Sequence, residues 1–162
     1  MCESAFKENK MDNEQLTLYI RKYGDTVYRV AYNFVKAHAD SEDIVQETFL
    51  KLYRSDKAFD SEEHVKAWLI RVAANLAKNH IKAPAQSRRT ELDEGLPAPD
   101  TEDKELHEAM RELPEKYGIV IYLYYFEGYG TREIASMLRI TESNVKARLK
   151  RGREKLKAFL ED

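Results

Sequence analysis

The sequence predicts an all-α protein: two small helical domains joined by a flexible acidic linker. Three observations carry this. Apolar residues recur at three- and four-residue steps in both halves of the 162-residue chain. Three of the four prolines (Pro84, Pro97, Pro99) fall in one short window together with Gly95. Charge is also unevenly placed, with an acidic stretch ahead of a strongly basic terminus.

Taken in order, residues 1–83 form the first domain. Leu16, Tyr19, Ile20 and Tyr23 mark one apolar stripe, and Val27, Val30, Ala31 and Phe34 a second. Val45, Phe49, Leu52 and Tyr53 mark a third, and Trp68, Leu69, Val72, Ala73 and Leu76 a fourth. With no proline among them, the spacing predicts four helices. Residues 84–104 lose apolar periodicity and read as the linker. Residues 105–162 form the second domain, with four more helices. One lies near Glu102 to Leu113, one has Pro114 at its first position and ends at Gly128, and two short ones follow Thr131. The run IVIYLYYF has strand-like composition. Pro114 and Gly128, about fourteen residues apart, decide for helix.

Counting by segment shows what the net charge of −2 hides. Residues 1–83 carry 13 basic and 13 acidic side chains, 84–105 carry 3 and 7, and 106–162 carry 11 and 9. From Asn144 to Lys157 seven cations face a single acid, Glu154, a local excess of six positive charges.

The longest apolar run, Ile119 to Phe126, is far short of the ~20 residues a membrane span needs, and MCESAFKENK lacks a signal-peptide apolar region. We therefore expect a cytoplasmic protein with no membrane insertion. Cys2 is the only cysteine, so neither a disulfide nor a zinc cluster can staple the fold. His38, His64, His80 and His107 are scattered, which argues against a metal site. No phosphate-cradling glycine loop and no nucleophile elbow occurs. The expectation is a protein that is not an enzyme and uses no cofactor.

The basic terminus has a shape that its charge alone would not require. In TREIASMLRITESNVKARLKRGREKL, Ile134, Ala135 and Leu138 form one apolar stripe, and Val145, Leu149 and Leu156 another. Arg139 and Ile140 make a short turn, and Thr141 is placed to cap the second helix. This describes a helix-turn-helix. At 100° per residue Val145, Leu149, Gly152 and Leu156 share the inward sector. Ser143, Ala147, Lys150 and Arg151 face outward, flanked by Asn144, Lys146 and Arg148. Major-groove readers need short side chains where the helix nears the bases and long cations around them. The plainer alternative is a solvated Lys/Arg face that complements the helix dipole.

The stretch LPEKYGIVIYLYYFEGYGTREIASMLRITESNVKARLKRGREKLKAFL resembles region 4 of bacterial sigma factors of the extracytoplasmic-function group. HADSEDIVQETFLKLYRSDKAFDSEEHVKAWLIRVAANLAKNHIK resembles region 2 of the same group. Part of the first stretch also resembles the helix-turn-helix of response-regulator effector domains, but these have nothing like the second. The resemblance implies a factor that binds core RNA polymerase, recognises promoter DNA and directs transcription initiation. It further implies that Lys146, Ala147, Lys150 and Arg151 face the minus-35 major groove, with Ser143 beside them. Asn144, Arg148 and Arg153 stand at phosphate-contact positions.

Region 2 carries two further surfaces. In the helix after Asp40, Asp43, Glu47, Leu50 and Arg54 face away from Val45, Phe49, Leu52 and Tyr53, a pattern suited to docking a partly basic partner around an apolar anchor. By resemblance these residues and Gln46 grip the clamp helices of the polymerase β′ subunit, with the β flap as a second polymerase contact. Arg71, Asn75, Lys78, Asn79 and Lys82 form a polar stripe, which with Phe59 suits a melted strand whose bases stack and are read by hydrogen bonds. The resemblance assigns this set to the minus-10 strand and matches Phe59 and Asn75 to the pocket for an extruded base. Relatives are commonly held inactive by an anti-sigma factor, which is an expected partner.

Two departures from the family pattern stand out. Arg139 occupies a turn position where many relatives have glycine, and Gly130 replaces a usual serine, leaving Thr131 as a substitute cap. The rival functions are a stand-alone helix-turn-helix transcriptional regulator and a helical interaction module that binds no nucleic acid. The linker acids are expected to occupy a basic channel of the polymerase.

Overall fold

The computed structural model describes residues 11–82 and 104–161; the acidic linker and Cys2 lie outside them. All regular elements among the described residues are helical.

Helix α1 (Asn13–Val35) starts at Asp12, whose Oδ1 accepts from the Gln15 N–H at 2.8 Å. Two helices were expected here, and one continuous helix of 23 residues is found. Gly24-Asp25 lies between the two apolar stripes, yet Tyr23, Val27, Val30, Ala31 and Phe34 are all buried on one side. Arg29 also pairs back to Asp25 at 2.9 Å. A mid-helix glycine costs only ~1 kcal/mol, less than burying even one or two of those side chains contributes. Lys36 ends α1 in the left-handed conformation, φ 54°. Helix α2 (His38–Arg54) buries Ile44, Phe49 and Leu52. Tyr53, expected to face inward, is exposed. Helix α3 (Glu62–Lys82) buries Val65, Leu69, Ile70 and three alanines, while Trp68, Val72 and Leu76 are only partly covered. Buried Asp40 on α2 lies 3.3 Å from His80 on α3.

In the second half, α4 spans Lys104–Glu112 and α5 spans Glu115–Ile121. Pro114 caps α5 rather than forming its first turn. The chain then widens into a π-helical turn, Tyr122–Phe126, in which the Glu127 N–H reaches the Tyr122 carbonyl at 3.2 Å. IVIYLYYF is thus helical, as its flanking proline and glycine indicate. Gly128 reverses the chain at φ 78°, a conformation that favours glycine. Helices α6 (Thr131–Leu138) and α7 (Glu142–Glu161) follow. At 20 residues α7 is long, where a short helix was expected. Its amphipathic stripe continues to Leu156 and packs on α4 and α5 as well as α6.

Gly152 makes that packing close: a Cβ there would stand 3.0 Å from Ile121 Cγ1 and 3.5 Å from Tyr117 Cβ. The two halves also meet. Helix α5 lies on α1 and α6 lies on α3, so one apolar core runs from Val27 and Leu69 through Leu123 to Leu138 and Leu149.

Candidate nucleic-acid and partner interfaces

The turn between α6 and α7 is set by Arg139, at φ 57°. The N–H of Ile140 returns to the Ala135 carbonyl at 3.0 Å, closing α6 with the six-to-one bond typical of a left-handed cap. The non-glycine residue therefore adopts the glycine conformation instead of changing the turn. Thr141 caps α7 as its sequence position predicts, with Oγ1 accepting from the Asn144 N–H at 3.1 Å. Thr131 does not replace the missing serine cap of α6. Gly130 is the cap residue and gives no side-chain bond, while the Thr131 hydroxyl donates to Glu142 Oε1 at 2.9 Å. That bond ties the start of α6 to the start of α7. Together with Lys146, 3.6 Å away, it holds the Glu142 carboxyl below the usual range.

Helix α7 separates its faces. Val145, Leu149 and Gly152 are buried. Ser143, Asn144, Lys146, Ala147, Lys150, Arg151 and Arg153 are exposed, and Arg148 is half-buried. The outward centre is thus a hydroxyl and a methyl ringed by cations, open to a partner as wide as a DNA groove. Tyr125 bounds the far end, its hydroxyl accepting from Arg153 Nη1 at 3.1 Å.

On α3, Arg71, Asn75, Asn79 and Lys82 are exposed and Lys78 is half-buried. The Lys78 ammonium leaves the polar stripe to donate to the Leu138 carbonyl of α6 at 2.6 Å. Burial, then Arg148, Lys82 and Arg139, lower its pKa. Phe59 is partly buried, edge-on to His64 at 5.1 Å and Trp68 at 5.7 Å. Asn75 lies seven residues past Trp68, ~10 Å further along the helix. On α2, Asp43, Gln46, Glu47, Leu50 and Arg54 share an exposed surface, with Leu50 at 49% exposure.

Two features have no simple sequence signal. The first is an apolar groove of about 580 Å³ between α4, the π-helical turn and the end of α7, lined by Leu106, Ile121, Tyr125, Phe126, Leu156 and Leu160. Of these Tyr125, Phe126 and Leu160 are exposed, as are Tyr124 and Phe159 nearby in the chain. Only the surplus of aromatic residues in IVIYLYYF, more than one helix face can bury, hints at it. The second is a polar knot where the halves meet. Glu127 accepts from Lys66 Nζ at 2.8 Å, Tyr122 Oη at 2.7 Å and Thr26 Oγ1 at 3.3 Å. Burial raises the Glu127 carboxyl, but these donors outweigh it and the net pKa lies below the usual range. Burial also holds the Tyr122 hydroxyl protonated far above the ordinary tyrosine range.

The described residues thus form a three-helix bundle with an acid-and-leucine face, packed on a helix-turn-helix with a cationic outer helix, the two-part architecture expected from the sequence. Comparison with known proteins agrees. Residues 19–88 match the model of Sigma-70 region 2, and residues 103–156 that of Sigma-70, region 4. The chain is similar to the ECF RNA polymerase sigma factor SigW of Bacillus subtilis, 31% identical over 183 residues, covering 100% of this chain and 98% of the relative. It is also similar to SigM of the same organism, 31% identical over 149 residues and covering 85% and 90%. Among solved structures, sigma factor RpoE in complex with the anti-sigma factor NepR from Bartonella quintana superposes with a TM-score of 0.72. That match covers 91% of this chain and 98% of the other at 17% identity. CnrH in complex with the cytosolic domain of CnrY gives 0.64, at 22% identity and coverage of 93% and 90%. The chain belongs to the extracytoplasmic-function sigma factors. A stand-alone regulator does not account for region 2, so that alternative is set aside.

Proposed function

We propose that this sigma factor docks core RNA polymerase through Asp43, Gln46, Glu47, Leu50 and Arg54 on α2, against the β′ clamp helices. The apolar groove of the second half takes an amphipathic segment of the polymerase, the β flap. Helix α7 enters the minus-35 major groove, with Lys146, Ala147, Lys150 and Arg151 toward the bases and Asn144, Arg148 and Arg153 on phosphates. Phe59, Arg71, Asn75, Lys78, Asn79 and Lys82 hold the melted minus-10 strand. Residues 1–83 and 105–162 act as the two binding units, and residues 84–104 span the polymerase between them. The protein works in the cytoplasm, contributes no chemistry of its own to RNA synthesis, and is restrained by an anti-sigma partner.

The observation that carries this reading is the outward face of α7. Ser143 and Ala147 sit exposed inside a ring of Lys146, Lys150 and Arg151, while the opposite face is buried. A merely solvated helix has no need of a small-residue centre. The test is reconstitution: purified protein, core polymerase and a promoter library are mixed and the transcripts sequenced. Transcripts should share one promoter class; random start sites, or no association with core, would overturn the reading.

A further inference from the structure

The contacts between the halves use groups that promoter binding needs. Lys78, on the α3 polar stripe, is bound to the Leu138 carbonyl one residue before the turn. The stripe and the helix-turn-helix are therefore in direct contact. Elements named minus-10 and minus-35 lie roughly 25 base pairs apart, ~85 Å at ~3.4 Å per pair. A compact chain of this length has a radius of gyration of ~15 Å and is about 40 Å across. Halves packed in this way cannot engage both elements at once. The seam is made chiefly by α5 on α1 and α6 on α3, and on α2 Leu50 and Glu47 stay exposed.

We propose that Glu127 is a latch that holds the free protein closed, in a form that can dock polymerase through α2 but cannot span a promoter, so that polymerase binding precedes opening. The latch joins the second half to both α1 and α3, through Thr26 and Lys66, and is nearly dry: Lys66 and Glu127 side chains are 18% and 14% exposed. Removing one partner leaves a poorly solvated charge, which opening relieves. Gly118 on α5 faces Asn33 on α1 across the same seam. A Cβ at Gly118 would stand 3.0 Å from Asn33 Oδ1, so a larger residue there presses on the seam and the Asn33 side chain has to give way by a few tenths of an ångström.

The proposal rests on the sigma-factor reading for its consequence, although the latch can be measured without it. Small-angle scattering of the full chain should give a compact wild type near ~15 Å. Glu127→Lys, which sets two cations together, should enlarge it by at least about a third with helix content unchanged, and the swap Lys66→Glu with Glu127→Lys should restore compactness. Gly118→Ala, which favours its own helix but crowds Asn33, should loosen the seam by less than Glu127→Lys does, without unfolding the chain. An extended wild type, or a Glu127→Lys variant as compact as wild type, would overturn the latch. Association rates with immobilised core polymerase should agree within about twofold for wild type and Glu127→Lys. A wild type at least tenfold slower would put opening first and overturn the order. Failure of every variant to bind core would sink the sigma-factor reading and leave the scattering result standing.

Discussion

Arg139→Gly should stabilise the protein. Arg139 holds φ 57° with its side chain exposed, and a left-handed conformation costs a non-glycine residue ~1–2 kcal/mol. Glycine removes that cost but adds freedom to the unfolded chain, returning about 0.4–1 kcal/mol. The net gain is about 0.5–1 kcal/mol, or ~1–4 °C in Tm for a chain of this size. Loss of a cation that bears on Lys78 acts in the same direction. Arg139→Ala separates the causes, because it removes the charge and keeps the strain. Asn tolerates positive φ better than most residues, so thermal melts followed by circular dichroism should rank Gly above Asn and Asn above Ala. A glycine variant no more stable than the alanine variant would refute the strain argument. Promoter choice should not change, since the turn keeps its shape.

Leu50→Asp should leave folding within ~0.5 kcal/mol of wild type, as exposed sites usually do. With about half the side chain still to bury, it should weaken core-polymerase binding by at least ~1 kcal/mol, roughly fivefold, in titration calorimetry. Arg153→Ala should lower the salt dependence of minus-35 binding by about 0.9 in log–log slope for all sequences alike, whereas Lys150→Ala should relax preference at one base position by ~1–3 kcal/mol. Lys36, its ammonium 3.3 Å from the Met110 carbonyl, is pushed down to about 8 by burial, with Arg111 acting in the same sense and Glu115 and Glu112 opposing. Its protonated form is therefore disfavoured in the folded protein, a penalty present in full below pH 8 and relieved toward pH 10. Denaturant melts should show wild type gaining on Lys36→Met over that window, by no more than about 1.4 kcal/mol per pH unit. Above pH 10 the buried hydroxyls of Tyr122 and Tyr129, held protonated, lower the stability of wild type and variant alike and leave the difference between them unchanged.

The recognition helix was legible because one rule governs it. A 100° periodicity puts Val145, Leu149 and Gly152 inside and Lys150 and Arg151 outside, and the Thr141 cap is encoded one residue before the helix. Other elements obey no local rule. Gly24-Asp25 lies between two apolar stripes, and only the shared burial of residues on both sides shows that one helix runs through it. The π-helical turn depends on which carbonyl accepts the Glu127 N–H, which composition does not specify. Lys78 fits the polar stripe by spacing, while its partner is a backbone carbonyl 60 residues away. Lys66 and Glu127 are likewise distant, and neither residue differs in type from the many solvated Lys and Glu of the chain. Such pairs arise from the approach of two surfaces, and periodicity within either surface cannot reveal them.

The placement of charge on α7 also sets the distance at which DNA is felt. A body of net −2 is faintly repelled by a polyanion from afar. At physiological ionic strength fields fade within ~8 Å, so the cations of α7 act only when that helix already lies almost against the duplex. Bulk chromosome is thus a poor sink for the unaccompanied factor, which stays available to search for polymerase.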